Sequence, residues 1–178
     1  YYYHPIFVRS TAEEEERFNQ LSANMAACYI NNVLVDKEKL VKCIRARLRI
    51  LSRAEEKIQH IDMLLNQVPQ KDHYVVYCGD GRLFDHENDE VRYIEFVKQR
   101  LDEQGVKTSQ FTASEDMVRR MELVDMFNKN EISALVAIRC LDEGINIPSI
   151  RSALILSSND HYREFVQRRG RILRKYPG

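Results

Sequence analysis

The segment ISALVAI at residues 132–138 is a mainly apolar run, and a second run, SALILSS, follows it at residues 152–158 after a polar loop. The earlier segment YVVYC at residues 74–78 shares this pattern, and VKTSQFT at residues 106–112 is a weaker strand candidate. Short apolar runs of this kind are typical of strands that are buried on both faces. Helical patterns separate the four runs, so the sequence predicts an α/β fold in which helices cover both faces of a parallel sheet.

Two helices are predicted between these strands. The first spans about residues 90–103 and is closed by Gly105, and the second spans residues 115–128 with Ser114 as its N-cap. The second helix carries four apolar residues that we expect to face inward, which are Met117, Met121, Val124 and Phe127. A last helix is predicted to begin after Asp160.

The first third of the chain has a helical pattern throughout. Thr11 and Glu14 have the spacing of a capping box, and a second helical segment begins near Asp36 and breaks near Ser52. We therefore divide the chain into a helical linker or extension at residues 1–70 and a second domain at residues 71–178. The second helical segment also carries a row of arginines, for which a solvated helix face is the favoured interpretation and phosphate contact the alternative; they are Arg45, Arg47, Arg49 and Arg53.

Ligands of parallel sheets bind beyond the carboxyl ends of the strands. In this sequence the segments that follow the four predicted strands are CGDGR, FTASED, CLDEGIN and SSND. We expect them to lie along one edge, where the loop at 145–148 and the last helix meet at a single crevice.

The segment QRRGRILR at residues 167–174 carries four arginines. On a helical wheel Arg168, Arg171 and Arg174 share one face, whereas Arg169 falls within the apolar arc. Three guanidinium groups on one face suit the multidentate binding of phosphate, although a solvated basic face fits the cluster equally well.

A second motif favours the phosphate interpretation. In DEGINIP, at residues 142–148, Gly144 permits a tight turn with exposed backbone amides, and the amide of Asn146 suits a sugar hydroxyl. The order of the two motifs, with one strand and the start of one helix between them, is more specific than either motif alone.

Several other classes of protein are excluded or disfavoured. The sequence contains no G-x-x-x-x-G-K-[ST] motif, and Gly79-Asp80-Gly81 lacks the third glycine of a dinucleotide fingerprint. The net charge is +0, so any nucleic-acid surface must be local, and no apolar run is long enough to span a membrane. The cysteines are far apart, with no CxxC pair, so we expect reduced thiols, no metal site and a cytoplasmic location; they are Cys28, Cys43, Cys78 and Cys140. The chain begins at Tyr1 rather than Met, and we expect it to be a piece of a longer protein.

These motifs resemble those of the C-terminal RecA-like domain of superfamily 2 helicases, the DEAD/DEAH-like group. YVVYCGD at 74–80 resembles motif IV, FTASED at 111–116 resembles the FTG segment, and CLDEGIN at 140–146 resembles motif V. REFVQRRGRILR at 163–174 matches the pattern of motif VI in full. The N-terminal third is similar to the linker that precedes this domain in DNA helicases of the restriction-type branch.

The resemblance implies a RecA-like fold and an ATP-dependent DNA helicase or translocase. ATP and Mg²⁺ would be bound mainly by the N-terminal RecA-like domain of the same protein, and this chain alone would be inactive. Arg171 and Arg174 would reach the γ-phosphate, with Arg174 as the arginine finger. Further ATP contacts are implied for Gln167, Arg168, Glu143, Gly144 and Asn146, and nucleic-acid contacts for Thr112, Arg120 and Arg82.

The sequence also departs from the family pattern. Residue 146 is more often Asp, and the Thr that contacts the nucleic-acid backbone in DEAD-box proteins falls at Ile138, which makes RNA less favoured than DNA. The alternative function is a non-catalytic module, derived from a helicase fold, that binds nucleic acid or another protein.

Overall fold

The computed structural model describes residues 4–52, 54–67, 72–79, 82–84, 90–138 and 147–157. In chain order its elements are α1 (Ala12–Ala26), β1 (Tyr29–Ile30), β2 (Val33–Leu34), α2 (Lys37–Ser52), α3 (Glu55–Gln67), β3 (Tyr74–Tyr77), β4 (Arg82–Phe84), β5 (Glu90–Arg92), α4 (Tyr93–Glu103), β6 (Thr108–Phe111), α5 (Met117–Asn128), β7 (Ala134–Ala137) and β8 (Ser152–Ile155).

The four predicted core strands form one parallel sheet. Its order is β6-β7-β3-β8, and every pairing is parallel. Both central strands, β3 and β7, are buried at every residue, which explains why their sequences are apolar without alternation.

Helices cover both faces of this sheet, as the sequence predicts. Val76 and Val136 pack on one face with α3 and α4, whereas Val75 and Leu135 pack on the other face with α5. Neighbouring residues along a strand point to opposite faces, so each strand contributes to both halves of the core. The RecA-like α/β fold class is confirmed.

The N-terminal helices also follow the prediction. The backbone N–H of Thr11 donates to Glu14 Oε2 at 2.9 Å, and the N–H of Glu14 donates to Thr11 Oγ1 at 3.2 Å, which completes the capping box. The predicted break falls where α2 ends, at Ser52. The guanidinium of Arg47 lies 4.1 Å from the centroid of the Phe18 ring, so this arginine packs α2 against α1 and is not part of a purely solvated face.

Helix α3 joins the core of the sheet although it precedes residue 70. Ile61 is fully buried among residues of β3 and α4, and Asp62 pairs with Arg100 of α4 at 2.5 Å. The division of the chain at residue 70 stays a prediction.

The predicted start of α4 is wrong. Residues 90–92 pair antiparallel with residues 82–84, so α4 begins three residues later, at Tyr93. The strands β4 and β5 have only three residues each, too few for an alternating pattern to predict them.

The predicted cap of α5 and half of its inward face are also wrong. The helix is capped by Asp116, whose side chain accepts from Arg119 N at 2.8 Å. Met117 and Met121 are 64% and 66% exposed, whereas Leu123 and Phe127 are buried. Leu123 and Met121 are about 200° apart on the helix, so burial of Leu123 turns Met121 towards solvent.

Candidate functional site at the carboxyl edge of the sheet

The carboxyl ends of all four parallel strands lie side by side. Ala137 is in register with Phe111 and Tyr77, and Tyr77 is in register with Ile155. The segments that follow the strands therefore start from one edge, as predicted, over the residues that the structure describes.

Gly79 lies where this edge meets the helical extension. A Cβ atom at Gly79 would be 3.0 Å from Ser52 Cβ and 3.1 Å from Ser157 Oγ. Ser52 at the end of α2 and Ser157 beyond β8 thus lie so close to Gly79 that a methyl group there would displace a neighbour by a few tenths of an ångström. The backbone φ of Gly79 is not positive, so a glycine is favoured here by the limited space rather than by backbone conformation.

Lys57 joins the same two parts of the molecule. Its Nζ donates to the carbonyl of Leu156 at 2.9 Å and also to the carbonyl of Leu51, in the last turn of α2. Burial lowers the pKa of Lys57, and the nearby carboxylate of Glu14 partly opposes this effect. The half-buried amine therefore links the end of α2 to the end of β8 through hydrogen bonds.

Thr112 follows β6 at the opposite side of the edge and lies in a closed turn. It is 4% exposed, its Oγ1 is 2.5 Å from Ser114 Oγ, and the N–H of Ser114 donates to Thr112 Oγ1 at 3.2 Å. The backbone N–H of Thr112 donates to the carboxylate of Glu115. The turn is thus held by its own side chains.

Arg120 lies beside Thr112 in the structure. Its Nη2 donates to the carbonyl of Thr112 at 3.1 Å, and its buried Nε has no hydrogen-bond acceptor among the described residues. The guanidinium has five N–H groups, so this contact leaves donors for another acceptor.

The end of the DEGINIP segment, from Ile147 onward, packs against the core. Ile147 and Ile150 are buried against the α5 side of the core, and Ser149 Oγ donates to Asn128 Oδ1 at 2.5 Å. These contacts fix the exit of that loop against the end of α5.

For the other predicted site residues the structure describes no side-chain contact. Arg82 has its backbone in β4, opposite Arg92. The other predicted contacts lie outside the described residues, and they are Glu143, Gly144, Asn146, Gln167, Arg168, Arg171 and Arg174. The roles of all ten residues stay predictions.

Sequence reasoning missed Lys57 and Glu115. Lys57 and Leu156 are 99 residues apart, and no local pattern marks such a pair. Glu115 stands in a stretch of helix-capping residues, and its sequence position alone suits an ordinary first turn.

Three of the four cysteines are described, and Cys28, Cys43 and Cys78 are buried free thiols. Burial raises the pKa of Cys28 and that of Cys78, so both thiols are protonated at neutral pH. Within the described ranges, no three His, Cys, Asp or Glu side chains form a group that could hold a metal ion. None of the helices in those ranges has the length and apolar character to cross a membrane.

Comparisons with known proteins agree with this geometry. The family model for the helicase conserved C-terminal domain matches residues 56–176, more than half of the chain. A DNA 3'-5' translocase XPB2 from Sulfurisphaera tokodaii is 36% identical over 64 residues, which are 36% of this chain and 15% of the relative. UvrABC system protein B from Bifidobacterium longum is 31% identical over 81 residues, which are 43% of this chain and 12% of the relative.

The fold has a solved counterpart as well. The C-terminal domain of a SWI2/SNF2 ATPase from Sulfolobus solfataricus superposes with a TM-score of 0.55 at 10% identity, covering 82% of this chain and 65% of that one. The chain spans less than a sixth of the length of the two curated relatives. Its sheet, its carboxyl edge and the family match place this chain in the helicase conserved C-terminal domain family.

Proposed function

We propose that this chain is the second motor domain of an ATP-dependent DNA helicase or translocase. The observation that carries the proposal is the family match over residues 56–176, because it includes both the DEGINIP loop and the QRRGRILR segment. The similarity to a protein named as a DNA translocase favours DNA as the substrate. The restriction-type subgroup stays a prediction.

The donor set of this chain suits the phosphates of a nucleotide rather than its metal ion. The sequence supplies guanidinium groups at Arg168, Arg171 and Arg174, and it has no phosphate-cradling glycine loop with lysine. We therefore assign the binding of ATP and Mg²⁺ mainly to the N-terminal RecA-like domain of the same protein. ATP supplies the phosphoryl transfer that drives the motor.

Each predicted residue has a role in this shared site. Arg171 and Arg174 stabilise the charge that develops on the γ-phosphoryl group, and a finger of this kind is worth roughly 10³–10⁵ in rate. Arg168 neutralises phosphate or pairs with an acidic residue of the first domain. The nucleotide edge and ribose are contacted by Gln167, Glu143, Gly144 and Asn146.

We assign the nucleic-acid backbone to the other side of the carboxyl edge. The Thr112 turn and Arg120 lie together there, and Arg120 retains donors for a phosphate oxygen. Arg82 is the third predicted contact. Ile138 packs against the core and has no polar side-chain atom, so it cannot replace the threonine contact of DEAD-box proteins. This favours DNA over RNA.

The proposal predicts that the chain alone hydrolyses ATP only at the background rate, because half of the site belongs to the first domain. Phosphate release is measured with Mg²⁺ and DNA for the chain and, as the positive control, for the full-length protein. Robust magnesium-dependent turnover by the chain alone would contradict the shared site. A full-length protein that binds DNA in a salt-dependent manner but has no DNA-stimulated turnover would favour the non-catalytic module instead.

A further inference from the structure

The contact between the helical extension and the carboxyl edge has two parts, which we call the edge clamp. The first part is the amine of Lys57, which binds the carbonyls of Leu51 and Leu156. The second part is the close packing of Ser52, Gly79 and Ser157. Nothing in the proposed ATP site or DNA site uses these residues.

The amine of Lys57 binds one carbonyl at the end of a helix and one just beyond the end of a strand. Leu51 lies in the last turn of α2, where backbone carbonyls lack partners within the helix and carry partial negative charge. Leu156 follows the last residue of β8. A charged donor makes stronger hydrogen bonds than a neutral one, so both carbonyls are held firmly.

The three N-terminal helices meet beside this lysine. Glu14 of α1 caps its own helix through Thr11, and its Oε1 accepts from the backbone N–H of Glu55, the first residue of α3, at 3.3 Å. Helix α3 is in turn anchored in the core by Ile61. Helices α1 and α2 are therefore tied to α3 through Glu14 and Lys57, and to β8 through Lys57.

The packing at Gly79 adds a steric contact to these polar ones. A Cβ atom added to Gly79 would lie 3.0 Å from the Cβ of Ser52 and 3.1 Å from its Oγ. The end of α2 and the segments that follow β3 and β8 therefore approach one another closely at Gly79. Close-packed contacts of this kind transmit small shifts.

We propose that Lys57 couples the position of helices α1 and α2 to the carboxyl end of β8, and that it acts as a positioning residue for ATP hydrolysis. The second part rests on the proposed function, in which the strand β8 leads to the arginines of QRRGRILR. Lys57 does not touch the nucleotide in this proposal. Its loss leaves ATP binding intact and lowers the rate of the chemical step.

The test uses Lys57→Met in the full-length protein, with Lys42→Met as the matched control. Lys42 lies on α2, and among the described residues its exposed amine pairs with Glu38. We expect DNA-stimulated kcat to fall by about 10- to 100-fold in Lys57→Met, the effect of misplacing groups outside the reacting centre, with the KM for ATP little changed. Lys42→Met retains wild-type values.

Amide hydrogen exchange at Leu156 and Ser157 gives a readout that does not depend on catalysis. Both amides donate to the carbonyl of Tyr77, at 3.0 and 3.3 Å, so they report on the end of β8. Exchange at these two amides becomes faster in Lys57→Met and not in Lys42→Met, while the Tm falls by no more than a few degrees. If Lys57→Met does not fold, Lys57→Gln is measured in the same way.

Unchanged exchange at Leu156 and Ser157 would overturn the coupling, and faster exchange with unchanged kcat would overturn the positioning role. Arg174→Ala is assayed in parallel. If Arg174→Ala collapses kcat and Lys57→Met does not, this inference alone fails. If Arg174→Ala leaves kcat unchanged, the proposed function fails, and the exchange result still decides the coupling.

Discussion

At the scale of the residue, glycine is favoured at position 79 by the limited space around it rather than by its backbone conformation. A Cβ atom at Gly79 would be in tight contact with Ser52 and Ser157, whereas Gly105 has a positive φ of 77° and open space around it. Gly79 is therefore constrained by space and Gly105 by its backbone conformation, and substitutions can distinguish the two effects.

We predict that Gly79→Ala lowers the free energy of unfolding by about 1–3 kcal/mol, the usual cost of overpacking. Ser52→Gly in the same chain restores part of the loss, because it removes the Cβ that the new methyl group meets. Urea denaturation of the two single variants and the double variant measures the coupling.

Gly105→Ala is the control for this cycle. It costs about 1–2 kcal/mol through the strain of its left-handed backbone, and Ser52→Gly does not relieve it. A Gly79→Ala variant as stable as the wild type, or one that Ser52→Gly does not rescue, would contradict the steric account.

Residue-scale prediction from the sequence succeeds where the partners are close along the chain. The capping box of Thr11 and Glu14 follows from a spacing of three residues and is confirmed. Lys57 and Gly79 act on residues that are distant in sequence, so neither of their contacts could be predicted from a local pattern.

At the scale of the element, α5 shows how a small shift in a helix start changes its buried face. Ser114 and Asp116 are both capping residue types, and the structure starts the helix after Asp116. The buried positions are Leu123 and Phe127, with Val124 partly buried against the same cluster. Only the second half of the predicted inward face is correct.

We predict that Leu123→Ala lowers the free energy of unfolding by about 2–5 kcal/mol, because it empties a fully packed position. Met121→Ala, two residues away on the same helix, changes it by less than about 0.5 kcal/mol, because that side chain is largely exposed. Thermal or urea unfolding of both variants is the measurement. Equal losses for the two variants would mean that α5 presents the face that the sequence predicts.

The existence of the four strands of the parallel sheet was predicted correctly, whereas some helix boundaries were not, and the difference has a physical reason. β3 and β7 are buried on both faces, so every position must be apolar and the signal is continuous. β4 and β5 are short and lie outside the main sheet, so their sequences carry no such requirement.

At the scale of the whole molecule, the location of the candidate site follows from topology. Four parallel strands must end at one edge, and the sequence alone places the motif-bearing segments there. The sequence does not predict that the helical extension contacts that same edge, through the amine of Lys57 and through the packing of Ser52 near Gly79. The segment predicted to be a linker thus contacts the carboxyl edge of the sheet. Contacts between residues that are distant in the sequence leave no periodic pattern, so the sequence does not predict this one.

The most direct test of the central claim is the DNA-stimulated kcat of Arg174→Ala in the full-length protein. The control is Arg151→Ala, which removes an arginine that pairs with Asp72 at 2.9 Å before β8, at the opposite edge of the sheet. We predict that Arg174→Ala lowers kcat by roughly 10³-fold or more, with nucleotide affinity largely retained, because the finger acts on the transition state. Arg151→Ala retains the wild-type kcat. A wild-type kcat in Arg174→Ala would contradict the assignment of this chain as the domain that supplies the arginine finger.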